Sequence, residues 1–78
     1  MAVELSILEK IDILEKRLHQ FAFDRFQHEM NVEVGKAVGD EEIVERSQKQ
    51  IELINTATVI HEQHLNSLKE KVDADAAE

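Results

Sequence analysis

The sequence contains no proline, and its two glycines, Gly35 and Gly39, stand four residues apart near the centre of a 78-residue chain. Nothing on either side of that pair forces a helix to stop. Two long helices joined at one central break are the simplest fold such a chain can adopt. The second half supports this by its spacing: Val44, Ser47, Ile51, Ile54, Thr58, His61, Leu65, Leu68 and Val72 follow one another in alternating steps of three and four. That heptad pattern marks a seam between helices packed side by side at a shallow angle.

The first half carries a matching seam in Ile7, Ile11, Leu14, Leu18 and Phe21. The same steps then reach Arg25 and His28, so the strict heptad is expected to fail there. Apolar residues return at Ala22, Phe26 and Met30, which predicts a buried stripe that migrates around the helix towards the break. Gly39 suits the left-handed position that closes a helix, and Asp40 suits the N-cap of the next, with Glu41 and Glu42 at the positive end of its dipole. Gly35 is an alternative stop, leaving 36–38 as a short connection. The three valines of 31–39 are then either a frayed last turn packed back on the hairpin or an apolar tip.

The expected division is one hairpin domain over 1–73: a helix over about 3–34, a turn over about 35–40 and a helix over about 41–73. The acidic, aperiodic 74–78 is expected to be a disordered tail. Arms of roughly 30 residues span ~45–50 Å at 1.5 Å per residue. Antiparallel pairing about the middle of 35–40 places Ile7 near Leu68, Leu14 near His61 and Phe21 near Ile54.

Apolar residues outnumber what one seam can bury. Ile43, Leu53, Ala57 and Ile60 run beside the second seam, and Leu5, Leu8, Ile13 and Phe23 beside the first. Left uncovered, they would form the extended apolar patch that monomers avoid. The fold class expected is therefore all-α, an antiparallel hairpin assembling as a dimeric four-helix bundle or coiled coil. A trimer or a different helical partner protein would meet the same need. Phe21, Phe23 and Phe26 are the only aromatics. Phe23 sits away from the seam and is expected at a subunit interface, in preference to a docking point for another protein. Phe26, Met30, Leu53 and Ile60 are further candidates for partner or subunit contact.

A small chain without cysteine lacks the disulfides that often reinforce small cores, and it fits a reducing compartment, so a cytoplasmic protein is expected. No stretch reads as a signal peptide or a membrane span. The formal charge is −8, from 17 acidic residues against 9 Lys and Arg, which are scattered among the acids. Phosphate repulsion then argues against direct nucleic-acid binding. An acidic protein that occupies the basic groove of a nucleic-acid-handling protein stays open.

The segment HEQH, with His61 on the seam and His64 on its flank, is the one motif that invites a metal. Two histidines three residues apart supply at most two of the three or four ligands a metal needs, and neither the Glu-x-x-His of di-iron bundles nor HExxH is present. An intersubunit site built from His61 and His64 of two chains is the surviving version. The bland reading is a polar seam residue that sets register. Burial of His61 would make its charge costly, so loosening of the bundle below roughly pH 6 is expected. Ser47 lies about two heptads from His61, on the order of 20 Å, and Thr58 beside His61 lacks an oxyanion turn or an orienting acid. Both hydroxyls can bond back to helix carbonyls instead. No catalytic residue, cofactor or small-molecule substrate is expected. The function expected is a non-enzymatic interaction module acting as adaptor, assembly chaperone or accessory factor.

Overall fold

The computed structural model describes residues 3–76. Two helices, α1 over Ile7–Val38 and α2 over Glu41–Ala76, pack against each other along their length. The result is a slab 59 × 31 × 14 Å, and no strand occurs among the described residues.

Helix α1 starts at Ile7, not at 3, because Ser6 caps it. The Glu9 amide donates to Ser6 Oγ at 3.1 Å, and the Ser6 amide donates to Glu9 Oε1 at 3.2 Å. This reciprocal pair satisfies two amides that have no partner within the helix. The sequence signal was Ser-x-x-Glu, and Val3 before it is 90% exposed.

The turn is shorter than the expected 35–40. Gly39 takes φ 74°, the left-handed conformation that only glycine adopts cheaply. Its amide donates to the Lys36 carbonyl, and the Asp40 amide reaches back to the Gly35 carbonyl at 2.9 Å, which is the Schellman closure. Asp40 Oδ1 then accepts from the Ile43 amide at 3.2 Å, so the next helix is capped one residue after the first has closed. Gly35 does not end α1; it is buried inside it. A Cβ there would lie 2.8 Å from Val44 Cγ2. Its role is the close approach of two backbones, and Val32, Val34 and Val38 belong to the continuing helix, with Val34 and Val38 exposed.

Two expectations change with the turn. Phe21 packs edge-on to His61, ring centroids 4.8 Å apart, and Leu14 and Leu68 line one groove. The register has slid by about one heptad from the expected pairs Leu14 with His61 and Phe21 with Ile54. A helix extended to Val38 moves the midpoint of the hairpin towards Gly39, and every partner moves with it. The buried stripe of α1 also stays straight. Arg25, His28 and Val32 are half-buried and lead to Gly35, whereas Ala22, Phe26 and Met30 are exposed. Of the polar side chains at these seam positions, Arg25 extends its guanidinium to solvent, whereas His28 keeps its Nδ1 buried.

The seam residues of α2 named from spacing, Val44 through Val72, are all buried or half-buried, and so are Ile7, Ile11, Leu14, Leu18 and Phe21 of α1. Helix α2 runs on through Ala76, so 74–76 are helical where a disordered tail was expected; the last two residues of that tail, 77–78, lie outside the described residues.

Candidate interaction surfaces

His61 is half-buried, and its Nδ1 lies 2.7 Å from the Ala57 carbonyl oxygen. That contact requires a proton on Nδ1 and leaves Nε2 as the free nitrogen. With Phe21 against the ring, His61 is held as a packed member of the seam. His64 is exposed and lines a separate groove with Leu14, Leu68 and Lys71. Among the described residues, no three His, Asp or Glu side chains converge as a metal site would require. His19 is exposed; His28 is half-buried and shares a groove with the buried Ser47. Its buried Nδ1 has no hydrogen-bond partner. Thr58 Oγ1 donates to the Ile54 carbonyl at 2.8 Å, the back-bond that quiets a hydroxyl rather than activating it.

Charge on the slab is sorted by face. Residues one step before the α1 seam positions Ile11, Leu18, Arg25 and Val32 are Lys10, Arg17, Asp24 and Asn31, which rise on one face. Residues one step after Ile7, Leu14, Phe21 and His28 are Leu8, Glu15, Ala22 and Glu29, on the other. In an antiparallel pair the preceding positions of both helices share a face, so Ile43, Gln50, Ala57, His64 and Lys71 of α2 join Lys10 and Asn31. The grooves agree. Asn31, Ile43 and Gln50 line one, and Lys10, His64 and Lys71 line another. On the opposite face Lys36, Glu41, Glu45 and Gln48 line one groove, and Ala22 and Glu62 another.

The first face carries Lys10, Arg17, Arg46 and Lys71 with Asp24 as its acid, around Ile13, Leu53 and Ile60. The second carries Glu15, Glu29, Glu33, Glu45, Glu52 and Glu62 against the cations Lys36 and Lys69. This separation was not apparent along the chain because each helix alternates the two faces within every heptad. Phe23 and Met30 lie on the outer edge of α1, with Phe26 beside them towards the acidic face; Phe23 and Phe26 are 55% and 59% exposed.

Ion pairs do little to bind the helices. Asp12–Lys16, Arg25–Glu29, Glu42–Arg46 and Glu45–Lys49 each join residues of one helix across solvent, where such pairs contribute little. The hydrogen bond and charge of Asp12 hold the exposed Lys16 ammonium above its ordinary pKa. Between helices, Arg25 Nη1 donates to Asn55 Oδ1 at 3.5 Å, a link that apolar spacing could not reveal. No helix among the described residues is long and apolar enough to cross a membrane. No protein-family model, curated protein or solved structure matches the chain.

Proposed function

We propose that the hairpin is a non-enzymatic protein-interaction module that dimerises into a four-helix bundle and offers its remaining surface to a protein partner, as an adaptor, assembly chaperone or accessory factor in the cytoplasm. One observation carries this reading. Leu65 and Leu68 are the buried hydrophobic side chains of the described chain, while Leu53, Ile60, Phe23, Phe26, Leu8 and Val34 all remain more than half exposed. Two buried leucines and one seam of half-buried side chains are little burial to set against the conformational entropy of ordering about 70 residues at 1–2 kcal/mol each. A second hairpin supplies the missing burial at the lowest cost in new sequence. Absolute mass by light scattering across a dilution series tests this. Twice the 9.0 kDa chain mass is expected at micromolar concentration, and a folded monomer throughout the series overturns the reading.

A second reading is supported by the acidic face. A surface carrying Glu15, Glu29, Glu45, Glu52 and Glu62 suits a regulator that covers a basic, nucleic-acid-handling surface of a larger protein. Partner binding that falls steeply between 50 mM and 500 mM salt favours this inhibitor; salt-insensitive binding that Phe23→Ala weakens favours the hydrophobic adaptor.

A further inference from the structure

We infer that the hairpin dimerises through its acid-poor face, onto a second copy running in the opposite direction, with the twofold axis crossing the slab at the level of Asp24 and Ala57. This rests on the self-association proposed above and adds which face closes and in what orientation.

The two neighbours Val59 and Ile60 are each 53% exposed but lie on opposite faces. Ile60 shares the acid-poor face with Ala57 and Leu53, and lines a groove there with His64 and Ser67. Val59 shares the opposite face with Glu62, Glu52 and, further along the helix, Glu45. Closing the acidic face on itself would bring carboxylates together out of water, which costs far more than the apolar contact returns. The acid-poor face has no such obstacle, and a slab 59 × 31 Å across exceeds the roughly 800 Å² per partner that a stable interface needs.

The order of residues on that face fixes the orientation. On α2 the outer row reads Arg46, Leu53, Ile60, Ser67, and on α1 it reads Ile13, Gln20, Gln27, Val34. The α2 row is centred between Thr56 and Ala57, the α1 row between Phe23 and Asp24. Phe21 against His61 and Arg25 against Asn55 show that these centres lie at one height along the slab. A twofold axis there sets Leu53 against the partner's Ile60, Gln20 against the partner's Gln27 and Ile13 against the partner's Val34. It also sets every cation of the face against an uncharged residue: Lys10 meets the partner's Val38, Arg17 the partner's Asn31, Arg46 the partner's Ser67 and Lys71 the partner's Ile43. With the axis turned parallel to the helices, Lys10 and Lys71 of the two copies would instead crowd at one end. Asp24, already accepting from Gln20 Nε2 at 3.0 Å, is the one like-charged meeting at the axis.

The chain has no cysteine, so single cysteines report cleanly. A nitroxide on Lys36→Cys sits 12 residues from the axis level, and the two labels of an antiparallel dimer are expected more than about 36 Å apart by electron–electron distance measurement. Turns gathered at one end would leave roughly 20–24 Å, two helix diameters, and would overturn the orientation. Ile60→Asp is expected to raise the dimer dissociation constant by at least about tenfold while Val59→Asp changes it less than about threefold; the reverse order would overturn the face. Asp24→Asn is expected to lower that constant severalfold, and a weakened dimer would move the axis elsewhere. A monomeric mass for the unmodified chain would overturn the self-association itself, a failure distinct from the other three. Circular dichroism of each variant confirms that the helices persist.

Discussion

Between the chain ends and Phe21 the seam is apolar on both helices, with Ile7, Ile11, Leu14 and Leu18 facing the stretch from Leu65 to Val72. Between Arg25 and the turn it mixes Arg25, His28, Gly35 and Ser47 with Val32, Val44 and Ile51. The buried leucines, Leu65 and Leu68, both lie in the open half. The hydrogen bonds that connect the helices or close the turn, Asn55 with Arg25 and Asp40 with Gly35, lie in the other. The difference follows from chain connectivity. Near a two-residue turn the helices meet at little loop-closure cost, and polar or small residues can occupy the seam. Some 30 residues away nothing but burial keeps the helices together, and the seam there must be apolar.

The largest effect should come from the open half. Leu65→Ala and Leu68→Ala each remove most of a buried side chain, and each is expected to lower unfolding free energy by about 2–4 kcal/mol. Ser47→Ala, equally buried but in the turn half, is expected to cost less than about 1 kcal/mol. Urea melts at one fixed protein concentration compare the three, the concentration mattering because association adds to apparent stability. Equal losses at Ser47 and Leu65 would break the contrast between halves.

Within the turn half, two glycines separate steric from conformational demands. Gly35→Ala is expected to destabilise by about 1–3 kcal/mol through overpacking, because the new Cβ would lie 2.8 Å from Val44 Cγ2. Shortening that neighbour with Val44→Ala should recover part of the loss, a coupling that a double-mutant cycle measures. Simple additivity of the two substitutions would mean that the approach at Gly35 is not what fixes the turn. Gly39 has open space around it and φ 74°, so Gly39→Ala is expected to cost about 1–2 kcal/mol by left-handed strain alone. No neighbouring truncation should rescue it.

The two-helix fold and the seam positions were legible because heptad spacing survives any sliding of one helix along the other. The register was not, for the same reason. A slide of seven residues leaves every seam residue on the seam, and only the length of the turn distinguishes Phe21 beside His61 from Phe21 beside Ile54. Gly39 followed directly by Asp40 carries that information, because a helix that runs on to Val38 sets the turn length and with it the register. Arg25 and His28 are illegible to an apolar template, which reads polarity as the end of a stripe; Arg25 holds its half-buried position by extending its tip to water, and His28 holds its own with Nδ1 buried. The sorting of charge between the faces depends on pairing the positions before the seam in α1 with those before it in α2, which needs the antiparallel arrangement first.

The smallest effect, and the one with the opposite sign, belongs to His28. Its Nδ1 is shielded from water and has no hydrogen-bond partner, so the turn half carries a desolvation cost that its caps offset. Replacing the ring by an apolar side chain removes that cost and adds contact with Ile43 along the shared groove. His28→Leu is therefore expected to stabilise the hairpin by about 1 kcal/mol, the low end for relief of an unsatisfied polar group. Hydrogen exchange should localise the gain to amides between Arg25 and Ile51, leaving those around Leu65 unchanged. A loss of stability on His28→Leu would mean that the imidazole holds the turn half together, and that polar residues there are bonding elements of the seam, not residues the nearby turn merely permits.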